Sequence, residues 1–157
     1  MDDVGVLGHS TGGGGVIQLA ISDHRVKSVF GMDAWVEPID QEVLKKGLQV
    51  PTCLLRSEQW ETGPNNDYLR QLFTSSKVVP DIYQINGGNH QDFSMLYMYD
   101  PMTKLTGSQG PLDSRVNASI QQDFVLSFFN KTLKGQNIDL KQLAEKYEAV
   151  VRVRDFD

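Results

Sequence analysis

Short apolar runs alternate with amphipathic stretches between residues 3 and 86. Four runs rich in aliphatic residues have the length of buried strands, at 3–7, 27–32, 51–57 and 81–86. Three intervening stretches predict helices, at 13–22, 39–46 and 66–75. Strands that alternate with helices are typical of a parallel sheet whose faces are covered by helices. We therefore predict an α/β fold built on a parallel sheet of about four strands with flanking helices.

Two more helices are predicted after the last of these strands. Apolar residues recur at roughly helical spacing from Val116 to Phe129, and Gly135 is placed to end that helix. The segment 139–150 has the pattern of one more surface helix. The methionine-rich stretch 93–98 is predicted to pack on the core as a helix, although its side chains are also candidates for contact with an acyl chain or a lipid surface.

Residues 8–12 read GHSTG, the G-x-S-x-G form of a nucleophile elbow, which makes Ser10 a candidate catalytic serine. An elbow turns the chain sharply from a strand into a helix, so we expect strained backbone angles at Ser10 and a steric need for Gly8 and Gly12. In the glycine run at 12–15, only the first one or two have a clear steric reason. The backbone N–H of Thr11 is the expected oxyanion donor.

A serine nucleophile needs a histidine to accept its proton and a carboxylate to orient that histidine. Of three histidines, His90 follows the last predicted strand, at the carboxyl end of the sheet where parallel α/β proteins build their sites. His9 lies inside the elbow and is interpreted as a supporting or pocket-lining residue, and His24 as solvated. Asp33 and Glu58 each follow a predicted strand, and on this basis either one is a candidate acid.

Composition narrows the class of protein. The chain has 157 residues, 39% hydrophobic and 22% charged, which fits one globular domain and argues against disorder. Its formal net charge of -5 is spread along the chain and argues against nucleic acid as a partner. The lone cysteine, Cys53, lies in an apolar stretch and is expected in the core. Residues 1–3 lead directly into a predicted strand, so we expect no export signal there, and the compartment stays open.

Three ordered segments resemble the signature segments of the platelet-activating factor acetylhydrolase family. They are the elbow and its glycines at 8–13, the sequence MDAW at 32–35 and the sequence NHQDF at 89–93. The resemblance implies an α/β-hydrolase fold and a triad of Ser10, Asp33 and His90. It also implies a serine hydrolase that removes short or oxidised acyl chains from the second position of glycerophospholipids, with neither metal nor cofactor.

The chain departs from the family pattern in two places. Thr11 stands where the family often has phenylalanine, but a backbone N–H donor survives that exchange. The chain also begins at what resembles the fifth strand of the full fold, so we expect residues 1–157 to be the C-terminal half of an α/β-hydrolase domain, with no second domain. The missing N-terminal half is an expected partner, because it would carry the second oxyanion donor. Loss of one such donor typically costs ~100- to 1000-fold in turnover.

The expected substrate is a phospholipid or another carboxylic ester. Trp35, Trp60 and Phe93 are candidate pocket residues, because each follows a predicted strand or the candidate base. Two alternatives stay open. One is hydrolysis of polyester, cutin-like or small acyl esters by the same three residues, and the other is an inactive fragment that needs the missing half.

Overall fold

A five-stranded sheet forms the centre of the molecule in the computed structural model, which describes residues 4–100 and 102–154. The strands are β1 Val4–His9, β2 Val26–Met32, β3 Thr52–Ser57, β4 Asp81–Ile85 and β5 Val150–Val153. The helices are α1 Thr11–Ser22, α2 Gln41–Leu44, α3 Asn65–Ser75, α4 Ser114–Lys134 and α5 Leu140–Ala144. Short 3-10 helices lie at Glu58–Trp60, His90–Ser94 and Leu96–Met98.

The strands lie in the sheet in the order in which they occur along the chain. β1 to β4 are parallel to one another, and β5 pairs with β4 in the antiparallel direction. The helices of the three parallel crossovers, α1 to α3, pack on one face, while α4 and α5 cover the other. The predicted α/β fold with flanking helices is therefore confirmed, and the sheet is parallel as predicted except for β5. Its parallel strands all end at the same edge of the sheet, where their loops meet.

The end of the chain differs from the prediction. The helix expected over 139–150 is confined to α5, and β5 follows it, so the sheet has five strands instead of about four. Three of the four residues of β5 are valine, whose branched side chain favours a strand. The edge of β4 supplies the partner, with Ile82 opposite Val153 and Ile85 opposite Val150. Pairing with β4 thus forms a strand where the sequence pattern predicted the end of a helix.

Other boundaries differ by smaller amounts. Asp3, the first residue of the first predicted strand, lies outside the described residues. The helix predicted at 39–46 is shorter at both ends: Asp40 caps its start by accepting a hydrogen bond from the N–H of Glu42 at 2.7 Å, and the helix ends at Leu44. The stretch 93–98 is divided between two 3-10 helices, separated by Met95 in the left-handed conformation. Cys53 is fully buried, as expected.

None of the helices within residues 4–100 and 102–154 combines the length and the apolar character needed to cross a membrane.

Candidate active site

The predicted elbow is a sharp turn between β1 and α1, with Ser10 at its apex. Ser10 has φ 56° and ψ -124°, angles that a residue with a side chain rarely adopts. The turn is held by backbone hydrogen bonds: the Ser10 N–H donates to the Met32 carbonyl at 2.9 Å, and the Ser10 carbonyl accepts from the Trp35 N–H at 2.9 Å. A β-carbon at Gly8 would lie 2.3 Å from the Gly12 carbonyl oxygen. Only glycine therefore fits at position 8.

The rest of the glycine run corrects the expectation about its steric role. A β-carbon at Gly12 or Gly15 would meet no atom within 4 Å, so the predicted need for glycine at position 12 is wrong. Gly13 and Gly14 are the confined members, because their β-carbons would lie 2.8 Å from the Ala34 Cα and 2.1 Å from the Trp35 carbonyl oxygen. The helix is thus pressed against the loop that follows β2, and this contact brings Ser10 close to that loop.

Ser10, His90 and Asp33 form one continuous series of hydrogen bonds, which we call the relay. The His90 Nε2 lies 3.0 Å from the Ser10 Oγ, and the His90 Nδ1 lies 3.0 Å from the Asp33 Oδ2. The three side chains come from the loops after β1, β2 and β4, which meet at the carboxyl edge of the sheet. Each ring nitrogen of the histidine therefore has one partner, as transfer of a proton from a serine through a histidine requires.

The Asp33 carboxylate is held by more than the histidine. Asp33 is 2% exposed and has φ 38°, so it too occupies a strained backbone position. Its Oδ1 accepts from the Ser57 N–H at 2.7 Å, and its Oδ2 accepts from the Ser57 hydroxyl at 2.6 Å. Ser57 was given no role from the sequence; its position at the end of β3, next to β2, is the only signal that could have found it. Both carboxylate oxygens are therefore satisfied by hydrogen bonds in a buried site.

Two aromatic rings enclose the His90 imidazole. The Trp60 indole lies face to face with it, with the ring centroids 4.5 Å apart and 5° between the planes. The His9 ring also contacts His90, at 4.6 Å and 41°. Burial, and to a smaller extent the neighbouring imidazole, lower the pKa of His9 and so favour its neutral form. The interpretation of His9 as a supporting residue fits these contacts, and His24 is exposed, as expected.

The loop that carries His90 is fixed by polar contacts from the segment after β3. The Glu58 Oε2 accepts from the Gly87 N–H at 2.6 Å, and the Gln59 Oε1 accepts from the His90 N–H at 2.9 Å. Of the two acids left open by the sequence, Asp33 reaches the imidazole and Glu58 holds the backbone of the loop before it. Glu58 is therefore placed to position the loop without touching the ring.

A buried carboxylate that the sequence did not single out supports the same loop from the other side. The Asp92 Oδ2 accepts from the Asn89 N–H at 2.8 Å and the Gly110 N–H at 3.2 Å, and Asn117 of α4 donates to it at 3.3 Å. Burial raises the pKa of Asp92. The position of His90 thus depends on two separate polar clusters.

The candidate pocket residues divide between two cavities. Trp35 and Trp60 line an open cavity of about 300 Å³, and the Trp60 ring separates it from the relay, none of whose residues lines it. Phe93 lines a different, largely apolar cavity of about 390 Å³ together with Leu7 of β1 and Met32. Thr11 is the first residue of α1, so its N–H is one of those that have no acceptor within the helix and face the turn.

Comparisons with known proteins identify a family and a fold. The sequence model of the family described as platelet-activating factor acetylhydrolase, isoform II, matches residues 1–151. Platelet-activating factor acetylhydrolase from Bos taurus is 29% identical over 99% of this chain, and the protein of that name from Canis lupus familiaris is 24% identical over 98%. The chain spans 34% of the length of each of these relatives. A ferulic acid esterase from Streptomyces cinnamoneus superposes with a TM-score of 0.78 over 96% of this chain and 46% of that one, at 19% identity, and so shares the fold.

Proposed function

The chain belongs to the platelet-activating factor acetylhydrolase family, isoform II, and from this premise we propose that it acts as a serine ester hydrolase. In this proposal Ser10 is the nucleophile, His90 the general base and Asp33 the acid that orients the base. The observation that carries it is the unbroken hydrogen-bond series from the Ser10 Oγ through both ring nitrogens of His90 to the Asp33 carboxylate.

The proposed reaction has two halves. The His90 Nε2 takes the proton of the Ser10 hydroxyl as the oxygen attacks the ester carbonyl, and the tetrahedral intermediate collapses when the imidazolium returns that proton to the departing alcohol. A water molecule, deprotonated by the same nitrogen, then attacks the acyl-serine and releases the carboxylic acid, with the proton returned to the Ser10 oxygen. Asp33 stays ionised throughout and stabilises the imidazolium.

The Thr11 N–H is the proposed donor to the oxyanion, because it opens α1 directly after the nucleophile and lies at the positive end of the helix dipole. The relatives are about three times as long as this chain, so the activity of the whole family protein comes to it only as a proposal. The location of a second oxyanion donor in a preceding half of the domain stays a prediction.

We propose a short-chain ester of a glycerophospholipid as the substrate. The names of the relatives point to acetyl esters, and the cavity of about 300 Å³ beside Trp60 lies at the lower end of the range for small-molecule pockets. Other carboxylic esters are the second candidate, favoured by the openness of this cavity to solvent, which leaves room for an alcohol group of any shape.

Hydrolysis by the chain itself tests the proposal. We expect turnover of an aryl acetate and of a glycerophospholipid with an acetyl group at its second position, and much slower turnover of the same phospholipid with a long acyl chain. Ser10→Ala and His90→Gln should each abolish the activity, and the double variant should be no worse than either, because the two groups act as a unit.

A matched control is Ser22→Ala, which removes the hydroxyl of an exposed serine at the other end of α1. It should leave the rate unchanged. Activity that survives Ser10→Ala would contradict the proposed nucleophile. Equal rates on short and long acyl chains would contradict the proposed substrate while leaving the relay intact.

A further inference from the structure

An open cavity of about 490 Å³ lies beside β5, and none of the relay residues lines it. Its floor is built from three neighbouring strands, because Arg56 of β3 pairs in register with Gln84 of β4, which in turn lies opposite Val151 of β5. Glu61 and Thr62, from the segment between β3 and α3, form one wall. This volume is in the range that holds a small organic ligand.

Arg56 places a buried positive charge at this cavity. The residue is 8% exposed, and its Nε donates to the Gln84 Oε1 at 2.7 Å. Its Nη1 is buried and has no hydrogen-bond acceptor among the described residues. Within residues 4–100 and 102–154 no carboxylate oxygen lies within 4.0 Å of the guanidinium. Glu61 and Asp33 attract this charge from beyond hydrogen-bond distance, yet burial outweighs them and lowers the pKa of Arg56. A buried charge without a hydrogen-bonded counterion is costly, so the site is one that a negatively charged group would stabilise.

The other charges around the cavity favour the same kind of ligand. Arg152 and Arg154 line it as well, and Glu61 is the one acidic residue in the lining that the structure describes. The Arg152 Nη2 is partly engaged, since it donates to the Asp81 Oδ1 at 2.6 Å. The chain as a whole carries a formal net charge of -5. Arg152 is neutralised by Asp81 and Glu61 offsets one more charge, which leaves a small positive excess carried by Arg56 and Arg154, neither of which has an ion pair among the described residues. The arginine fork suits phosphate oxygens.

We propose that this cavity binds the phosphate group of a small organic ligand, with Arg56 as its buried anchor and Arg154 as an exposed second contact. The Gln84 amide is held in place, because its Nε2 donates to the Asn86 Oδ1 at 3.0 Å while its oxygen accepts from Arg56. The guanidinium therefore has a fixed orientation before the ligand arrives, which reduces the entropy lost on binding. This inference goes beyond the proposed ester hydrolysis and does not depend on it.

Isothermal titration calorimetry of the 157-residue chain with glycerol 3-phosphate, at constant ionic strength, tests the site. We expect saturable binding at one site, weakened at least tenfold by Arg56→Gln and several-fold by Arg154→Gln. Arg25→Gln is the matched control, because Arg25 is an exposed arginine paired with Asp23 elsewhere on the surface. That variant should bind as the unchanged chain does. If Arg56→Gln fails to fold, as its circular dichroism would reveal, Arg154→Gln decides.

Two further arms identify the source of the phosphate. Inorganic phosphate should compete with glycerol 3-phosphate. Vesicles of phosphatidylcholine, with and without phosphatidic acid, then distinguish two sources. If the natural ligand is a lipid headgroup, the vesicles with phosphatidic acid should retain the chain, and Arg56→Gln should abolish this. If it is a water-soluble phosphate ester, the vesicles should not retain the chain; either result supports the site. Absence of saturable binding would overturn the proposed site. Equal binding by all three arginine variants would mean an adventitious ion only and would overturn it as well. Neither result would affect the relay, which is tested by ester hydrolysis.

Discussion

Replacement of Asp33 by asparagine probes the proposed orienting acid with almost no change in size. Three donors converge on this carboxylate: the Ser57 N–H at 2.7 Å on Oδ1, and the Ser57 hydroxyl at 2.6 Å and the His90 Nδ1 at 3.0 Å on Oδ2. Both oxygens therefore accept hydrogen bonds. Whichever way the asparagine amide is turned, its NH₂ group faces at least one N–H donor.

The magnitude follows from the two orientations. If the NH₂ faces the Ser57 N–H, a buried donor is left unsatisfied, which costs about 1–3 kcal/mol of stability. If it faces His90, the imidazole is held in the tautomer that carries its proton on Nε2 and cannot accept one from Ser10. In the well-studied serine protease triad, the same exchange lowers kcat by about 10⁴, or roughly 5.5 kcal/mol at 1.36 kcal/mol per tenfold. The second orientation is the favoured one, because the amide oxygen then still accepts from the Ser57 N–H and the Ser57 hydroxyl can accept from the NH₂ group, so no buried donor is left unsatisfied. We therefore predict a fall in kcat of about 10³- to 10⁴-fold for Asp33→Asn.

The assay is the kcat for an aryl acetate together with a thermal melt. Glu58→Gln is the control, because glutamine keeps an oxygen that can accept from the Gly87 N–H. Its effect should be within about 0.5 kcal/mol, the range of ordinary surface substitutions. If Glu58→Gln lowered kcat as much as Asp33→Asn, or if Asp33→Asn kept kcat within tenfold, the assignment of the acid would be refuted.

Three further predictions concern the surroundings of the relay. Trp60→Leu removes the ring stacked on the imidazole. Loss of a cation–π contact of ~0.5–2 kcal/mol should lower kcat about 2- to 30-fold with little change in KM. Trp60→Phe should recover part of the lost kcat, and an unchanged kcat in Trp60→Leu would count against a role for the stacking. Gly14→Ala should lower the melting temperature strongly, because its β-carbon would lie 2.1 Å from a carbonyl oxygen, whereas Gly15→Ala, in open space, should raise stability by up to ~1 kcal/mol; equal effects would contradict the contact. Burial raises the pKa of Asp92 in the folded state. Its ionisation should therefore lower the free energy of unfolding as pH rises from the unfolded-state pKa of about 3.9 through the higher pKa of the folded state. Urea unfolding at pH 4 and pH 7 should show the unchanged chain losing stability relative to Asp92→Asn, and a gain would contradict this sign.

Local patterns predicted most of the fold and the members of the relay. The four parallel strands, the elbow at Ser10 and the position of His90 after β4 each follow from residues that are near one another in sequence. The resemblance to a family identified Asp33 as the acid, whereas the residues alone supported Asp33 and Glu58 equally. The strained turn at Ser10 is expected from the G-x-S-x-G pattern, and the φ of 56° at Ser10 shows that strain.

The features that were missed depend on contacts between distant segments. β5 forms because its four residues pair with the edge of β4, and the helical pattern in 139–150 contains no information about that edge. Ser57 acts on a carboxylate 24 residues away, and the confined glycines are confined by the loop after β2. Which members of a glycine run are sterically required is set by what packs against them, so a count of glycines cannot show it.

Covalent labelling of the nucleophile is the most direct test of the relay. The 157-residue chain is treated with a fluorophosphonate and digested, and the modified peptide is sequenced by mass spectrometry. We predict a single adduct on Ser10, absent in Ser10→Ala, and formed far more slowly in His90→Gln because the hydroxyl then lacks its base. An adduct on another serine, or equal labelling of the chain with and without the Ser10 hydroxyl, would contradict it.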